Sequence, residues 1–183
     1  MKKYFHFVDH IQITFQAGSG GDPSSARRRF GSRWVNLGGN GGNGGDIYLE
    51  ADRNVYDLSR LSGKKRISGE VGHPGAAHRK KGADAADIVI KVPVGTFVRD
   101  EQGITYADLD EDGKRYRVAQ GGGGGKGNFK RTETTPPQPG EVVERVLDFR
   151  LPIDVALIGP TNSGKTAFLS LITGKEFKIS EYP

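Results

Sequence analysis

Residues 159–166 read Gly-Pro-Thr-Asn-Ser-Gly-Lys-Thr and fit the pattern G-x-x-x-x-G-K-[ST]. The residue types suit phosphate chemistry. Gly159 and Gly164 let the backbone bend around a phosphate chain. The amides from about Asn162 through Ser163 to Thr166 point inward, reinforced by the positive end of a following helix. Lys165 would reach the β- and γ-phosphates, and the Thr166 hydroxyl would hold Mg²⁺. The flanks agree with this reading. Residues 153–158, Ile-Asp-Val-Ala-Leu-Ile, form the apolar run of a buried parallel strand. Residues 167–173 have a helical pattern, and Gly174 can end the helix. The bland alternative is a tight strand–helix turn with no ligand.

A second set of residues carries positive charge beside flat rings. Arg27, Arg28, Arg29 and Arg33 stand with Phe30 and Trp34. Lys64, Lys65 and Arg66 make a further cluster, His78, Arg79, Lys80 and Lys81 another, and Lys126, Lys130 and Arg131 surround Phe129. Guanidinium and ammonium groups pair with phosphates, while rings and guanidinium planes stack on unpaired bases, so these clusters suit RNA. The alternative is a solvated basic loop at 22–34 with Trp34 tucked into the core. His73 and His78 lack a close carboxylate to complete a metal set, and the chain has 0 cysteines, which excludes a disulfide framework and any thiolate site.

The elements that must position these residues are mostly strands. Ile11, Ile13 and Phe15 alternate with polar residues and predict a strand with one buried face. Residues 46–51 predict a second, and Val55, Leu58 and Leu61 a short helix or turn. Residues 86–94 are the clearest strand, with Ile88, Ile90 and Val92 on one face. Strands follow at 96–99, 104–109, 116–119 and 142–149, with turn signals at 100–103 and 110–114. Short strands at such spacing predict an all-β barrel or sandwich.

Glycine, at 28 of 183 residues, is about twice its ordinary share. Residues 37–46 read Leu-Gly-Gly-Asn-Gly-Gly-Asn-Gly-Gly-Asp. Alone, this is either a flexible linker or a polyproline II helix, whose three-residue turn places one glycine of each triplet on the same side. Gly-rich stretches also occur near Gly72 and at 120–127, and each lies near a basic cluster. A long structureless loop is uncommon inside a compact domain. The recurrence therefore predicts ordered, mutually packed Gly-rich struts that hold basic tips away from the strands.

Composition bounds the rest. A net charge of +5 fits an acidic partner such as nucleic acid. No apolar run approaches a membrane span, and no secretory segment follows Met1, so a soluble intracellular protein is expected. Residues after Pro183 are expected as well. About 30 residues beyond the strand domain cannot bury a core, and the rest of a nucleotide domain is missing.

The combination resembles the Obg family of GTPases, ribosome-assembly proteins. The resemblance rests on Phe7-Val-Asp9, on Gly38 to Asp46 ahead of Ile47, and on Ile90-Lys-Val-Pro-Val-Gly-Thr96. It continues through 119–128 and through Pro139-Gly-Glu141 to the phosphate loop. It implies an N-terminal domain at 1–150, mainly β, with a small β-barrel and packed, left-handed, Gly-rich polyproline II helices. A Ras-like α/β G domain would begin at 151–183. It further implies GTP hydrolysis by the full-length protein, GTP or GDP and Mg²⁺ as cofactors, and assistance to assembly of the large ribosomal subunit. Loop tips at about 23–31, 72–82 and 128–138 would meet rRNA near the peptidyl transferase centre. Partners would be the subunit precursor, ribosomal proteins and other assembly factors. The compartment would be the bacterial cytoplasm or a mitochondrial or plastid matrix. The family loop usually reads Gly-Phe-Pro-x-x-Gly-Lys-Ser-Thr. Here Pro160 follows Gly159 directly and Ala167 follows Thr166, and the 22–29 tip also departs from the usual Gly-rich version. The alternative is an RNA-binding scaffold with a degenerate, non-hydrolysing phosphate loop.

Overall fold

The computed structural model describes residues 7–150 and 156–174. The chain divides into two compact units, Met1–Arg150 and Leu151–Pro183. Among the described residues of the first there are ten strands, most of them built on alternating apolar residues: β1 His10–Gln16, β2 Arg27–Phe30, β3 Arg33–Asn36, β4 Ile47–Ala51, β5 Arg66–Ser68, β6 Ile88–Val92, β7 Thr96–Arg99, β8 Thr105–Leu109, β9 Arg115–Ala119 and β10 Val142–Phe149. Leu58 and Leu61 anchor a single 3-10 turn, Ser59–Leu61, against the core.

The strands make a five-stranded sheet in the order β5-β1-β10-β7-β8, a three-stranded sheet β6-β4-β9, and the isolated ribbon β2-β3. One core lies between the two larger sheets. Ile13, Phe15, Val98, Leu109, Leu147 and Phe149 face Ile47, Leu49, Ala51, Val92, Val118 and Ala119. Burying each large side chain contributes ~1.5–3 kcal/mol. The expected barrel is not closed: among the described residues no strand ladder joins the two sheets. Consecutive β8 and β9 turn away from each other at 110–114, β8 pairing with β7 and β9 with β4. Inward apolar residues from two separate sheets satisfy the core without closure.

Beyond the sheets the glycine-rich stretches run side by side as extended segments with a hydrogen-bond period of three, the period of a polyproline II helix. Residues 37–46 are central. Gly18, Gly21 and Ser24 donate to Gly45, Gly42 and Gly39, and Gly39, Gly42 and Gly45 donate to Ala76, His73 and Glu70. Gly41 and Gly44 donate to Gly125 and Gly122, while Gly82, Ala85 and Ile88 donate to Asn40, Asn43 and Asp46. An outer segment closes the bundle, Gln138 and Glu141 donating to Gly123 and Gln120.

The Gly-Gly-x repeat has a spatial cause. A Cβ on Gly38, Gly41 or Gly44 would sit 1.8–2.0 Å from the carbonyl oxygens of Ser24, Gly21 and Gly18. On Gly39, Gly42 or Gly45 it would meet Lys80, Ala83 and Ala86 carbonyls at 1.9–2.2 Å. Only the third row has room for side chains. There Asn40, Asn43 and Asp46 accept hydrogen bonds from the Gly127, Gly124 and Gly121 amides at 2.8, 3.1 and 2.6 Å. Glycine is required by close approach rather than by torsion. The left-handed glycines of this unit, such as Gly31 and Gly103, lie in turns.

Candidate nucleic-acid interface and phosphate loop

At about 3.1 Å per residue, the ten residues 37–46 span roughly 30 Å. Asp46 stands at the sheet end and Leu37 at the far end. Three loops meet there. The β2-β3 hairpin turns at Gly31, and its pairs Arg27–Asn36, Arg28–Val35, Arg29–Trp34 and Phe30–Arg33 are in register. Residues 22–34 are thus not a plain loop. Trp34 is 66% exposed and Phe30 54%, so Trp34 is not tucked into the core.

The second loop carries His78 and Arg79 in left-handed conformation, and the Arg79 amide donates to Leu37. The third loop, after Gly127, is held by Phe129 N–H to Gly38 O and by Asn36 Nδ2 to Arg131 O at 2.7 Å. The Arg79 guanidinium lies 4.1 Å over the Phe129 ring, and Lys130 Nζ is 5.7 Å from it. The structure therefore brings Arg27, Arg28, Arg29, Arg33, His78, Arg79, Lys80, Lys81, Lys126, Lys130 and Arg131 to one end. It does not bring Lys64, Lys65 and Arg66 there. They precede and begin β5, beside Thr14 at the sheet end.

Charge pairing differs between the two ends. Ion pairs gather on the sheets: Arg53–Asp112, Lys91–Asp52, Arg99–Asp148, Lys114–Asp110, Arg115–Glu50, Arg117–Asp46 and Arg150–Asp148. Among the described residues the one ion pair near the tips is Lys81–Asp84, 2.8 Å. The remaining tip cations face solvent without a carboxylate partner, which suits them to phosphate.

Asp46 fixes the junction. Partial burial works to raise its pKa. It is outweighed by hydrogen bonds from the Gly121 amide, the Tyr48 hydroxyl and Arg117, which hold the carboxyl below its ordinary value. That same hydrogen bond raises the Tyr48 phenol.

In the second unit, Asn162 and Gly164 take φ of +60° and +82°, and the helix α1, Lys165–Thr173, starts directly after Gly164 with no side-chain cap. A left-handed residue at a helix entry is the kind of backbone geometry found where successive amides make an anion-binding concavity. Lys165 Nζ lies over the loop, donating to Gly159 O at 2.7 Å, to Pro160 O, and to Ser163 Oγ at 3.2 Å. Gly174 ends the helix with φ +63°, as its position predicts. Of the strand expected at 153–158, residues 153–155 lie outside the described residues, and Ala156, Leu157 and Ile158 pair with no strand among them. The switch approach expected at 179–183 also lies outside them.

Comparison with known proteins bears on the whole arrangement. The GTP1/OBG family profile matches residues 8–146. The chain is 39% identical to a protein named GTPase Obg from Elusimicrobium minutum over 97% of its own length and 41% of that protein's. It is 38% identical to the GTPase Obg of Persephonella marina, covering 97% of the chain and 55% of the relative. With the GTPase Obg of Nautilia profundicola it shares 36% identity, over 96% and 52%. The chain thus spans about half the length of the curated relatives it matches. With its three-residue glycine lattice and the profile match over most of its length, the chain belongs to the GTP1/OBG family.

Proposed function

We propose that this chain is the RNA-facing N-terminal part, with the first phosphate loop, of a GTP-binding protein that assists assembly of the large ribosomal subunit. The observation that carries the reading is the convergence of three loops with unpaired cations and exposed rings at the far end of a rigid glycine block. The tips would contact rRNA near the peptidyl transferase centre. The subunit precursor, ribosomal proteins and other assembly factors would be its partners, in a bacterial cytoplasm or an organellar matrix.

Gly159, Asn162, Ser163, Gly164, Lys165 and Thr166 would hold GTP or GDP, with the Thr166 hydroxyl on Mg²⁺. The cradle geometry fits: Gly164 leaves the helix amides uncapped, and Lys165 already lies over the loop. GTP with Mg²⁺, held by these residues, would supply the charge that orders switch elements elsewhere in a full-length G domain. Lys165 would neutralise phosphate oxygens, exchanging its present carbonyl partners for them.

The test is co-sedimentation with large subunits. Reversal of Arg27–Arg29 and Lys80–Lys81 to Glu should abolish binding while the sheets stay folded. Binding by the unchanged chain should weaken steeply with salt, by a slope of about 0.7–0.9 per phosphate contact. Unchanged co-sedimentation of the reversed variant overturns the assignment.

A second reading has its own support. Lys165 satisfies all its donors within its own loop, and Pro160 and Ala167 depart from the family pattern. On that reading the protein is an RNA-binding scaffold with a non-hydrolysing loop. Lys165→Ala in the full-length protein separates the two: the GTPase reading expects nucleotide affinity to fall at least ~30-fold and hydrolysis to vanish. A full-length protein that binds no nucleotide sinks it.

A further inference from the structure

Between the base of the β2-β3 hairpin and the loop after Gly127 lies a cavity of about 330 Å³, lined by Ser25, Arg27, Asn128, Thr132, Glu133 and Thr134. Asn128 is 1% exposed, an unusual place for a side-chain amide. Three of its four polar groups are committed. Its N–H donates to Ser24 O, its carbonyl accepts from Arg131 N–H, and its Oδ1 accepts from Gly38 N–H at 2.8 Å. Its Nδ2 is buried, with no partner among the described residues. A buried donor left unsatisfied is costly, and this one belongs to a residue that lines the cavity.

The cavity also holds opposite charges that do not meet. Arg27 and Glu133 both line it, yet among the described residues neither forms an ion pair. A ligand recognised by phosphate alone gains nothing from a carboxylate beside the arginine. Glu133 is useful only to a ligand that also brings a donor. A ribonucleotide brings both, phosphate oxygens for Arg27 and a 2′-hydroxyl for Glu133.

The hairpin register supplies a stacking surface. Alternation along the strands puts Arg27, Arg29, Trp34 and Asn36 on one face. That face looks toward the loop after Gly127, because Asn36 reaches Arg131 and Arg27 lines the cavity with Asn128. Trp34 therefore stands two residues outward from Asn36, about 7 Å along the strand, on the face that carries Arg27 and with its indole exposed.

The geometry points to a pocket for one unpaired ribonucleotide of an RNA strand: the base stacks on Trp34, the phosphate meets Arg27, and Glu133 accepts from the 2′-hydroxyl. It rests on the proposed RNA contact and adds a selective site to what is otherwise a charged surface. Stacking tolerates any base, so the selectivity is for a flipped ribonucleotide rather than a sequence.

Trp34 is the chain's only tryptophan, so its fluorescence reports the site directly. The whole chain is titrated with a short single-stranded oligoribonucleotide and with the same sequence as DNA. RNA should quench Trp34 and bind at least fivefold tighter than DNA. Trp34→Ala should weaken RNA binding roughly tenfold, read by anisotropy of a labelled strand. Glu133→Ala, an exposed position whose loss leaves the fold intact, should bring the RNA-to-DNA ratio close to one without weakening DNA binding. Unquenched Trp34, or a ratio unmoved by Glu133→Ala, overturns the pocket. If large subunits still bind in a salt-dependent way in that case, the proposed function stands. If they do not, both fall.

Discussion

Asn40, Asn43 and Asp46 each place a side-chain oxygen on an amide of a neighbouring chain segment, and the last of them carries charge. Its pKa, like that of Asp52, is depressed. Lys91 Nζ, 2.7 Å away, and the Asn54 amide hold Asp52 down at about 2. A carboxyl with a lower pKa when folded stabilises the fold above its unfolded value, near 3.8, and that contribution is lost as the pH falls toward 2. Thermal midpoints should therefore be flat above about pH 4 and drop between pH 4 and 2, and Asp52→Asn should shallow that drop. A midpoint curve with the same acid limb in both proteins contradicts the assignment. Single residues also mark where sequence reasoning reached and where it stopped. The phosphate-loop pattern was legible because Gly159, Gly164, Lys165 and Thr166 must stand at fixed spacing. Asn128 was not, since one asparagine beside a glycine run signals nothing until its neighbours' hydrogen bonds are known.

The strands were legible from alternation, as in Ile11, Ile13 and Phe15 or Ile88, Ile90 and Val92, because each buries one face. The β2-β3 hairpin was not. Both of its faces are exposed, and no buried row makes a period of two; its available signal was the Gly31-Ser32 pair between two basic runs. Nor could alternation separate barrel from sandwich, because inward residues read the same whether or not β8 and β9 pair. The glycine struts had a signal beyond richness. Gly69, Gly72 and Gly75, and again Gly121, Gly124 and Gly127, recur every third residue, and each of the last three packs on a carbonyl of residues 38–44. This lattice predicts a severe cost for bulk. A Cβ at Gly41 would sit 1.9 Å from the Gly21 carbonyl oxygen. Backbone on both sides cannot yield as a side chain can, so Gly41→Val should cost at least ~3 kcal/mol and lower the melting point by roughly 6–12 °C. The same variant should lose subunit binding before nucleotide binding. A variant with unchanged melting would mean the struts are slack.

At the scale of the whole first unit, two ends are built differently from one chain. One end buries its apolar residues between sheets and pairs many of its cations with carboxylates, Lys64, Lys65 and Arg66 excepted. The other has almost no apolar core and, among the described residues, leaves its cations other than Lys81 without a carboxylate partner, and the glycine lattice substitutes backbone hydrogen bonds for side-chain packing. On the proposed function, a hydrogen-bonded spacer of about 30 Å would let the charged tips enter a recess while the sheets remain outside. The most direct measurement is an electron-microscopy reconstruction of the full-length protein on a large-subunit precursor. Residues 27–36, 77–81 and 128–134 should lie against rRNA, with β5 and Lys64–Arg66 directed away. Density that seats the sheets on the RNA and leaves the three tips in solvent would contradict it.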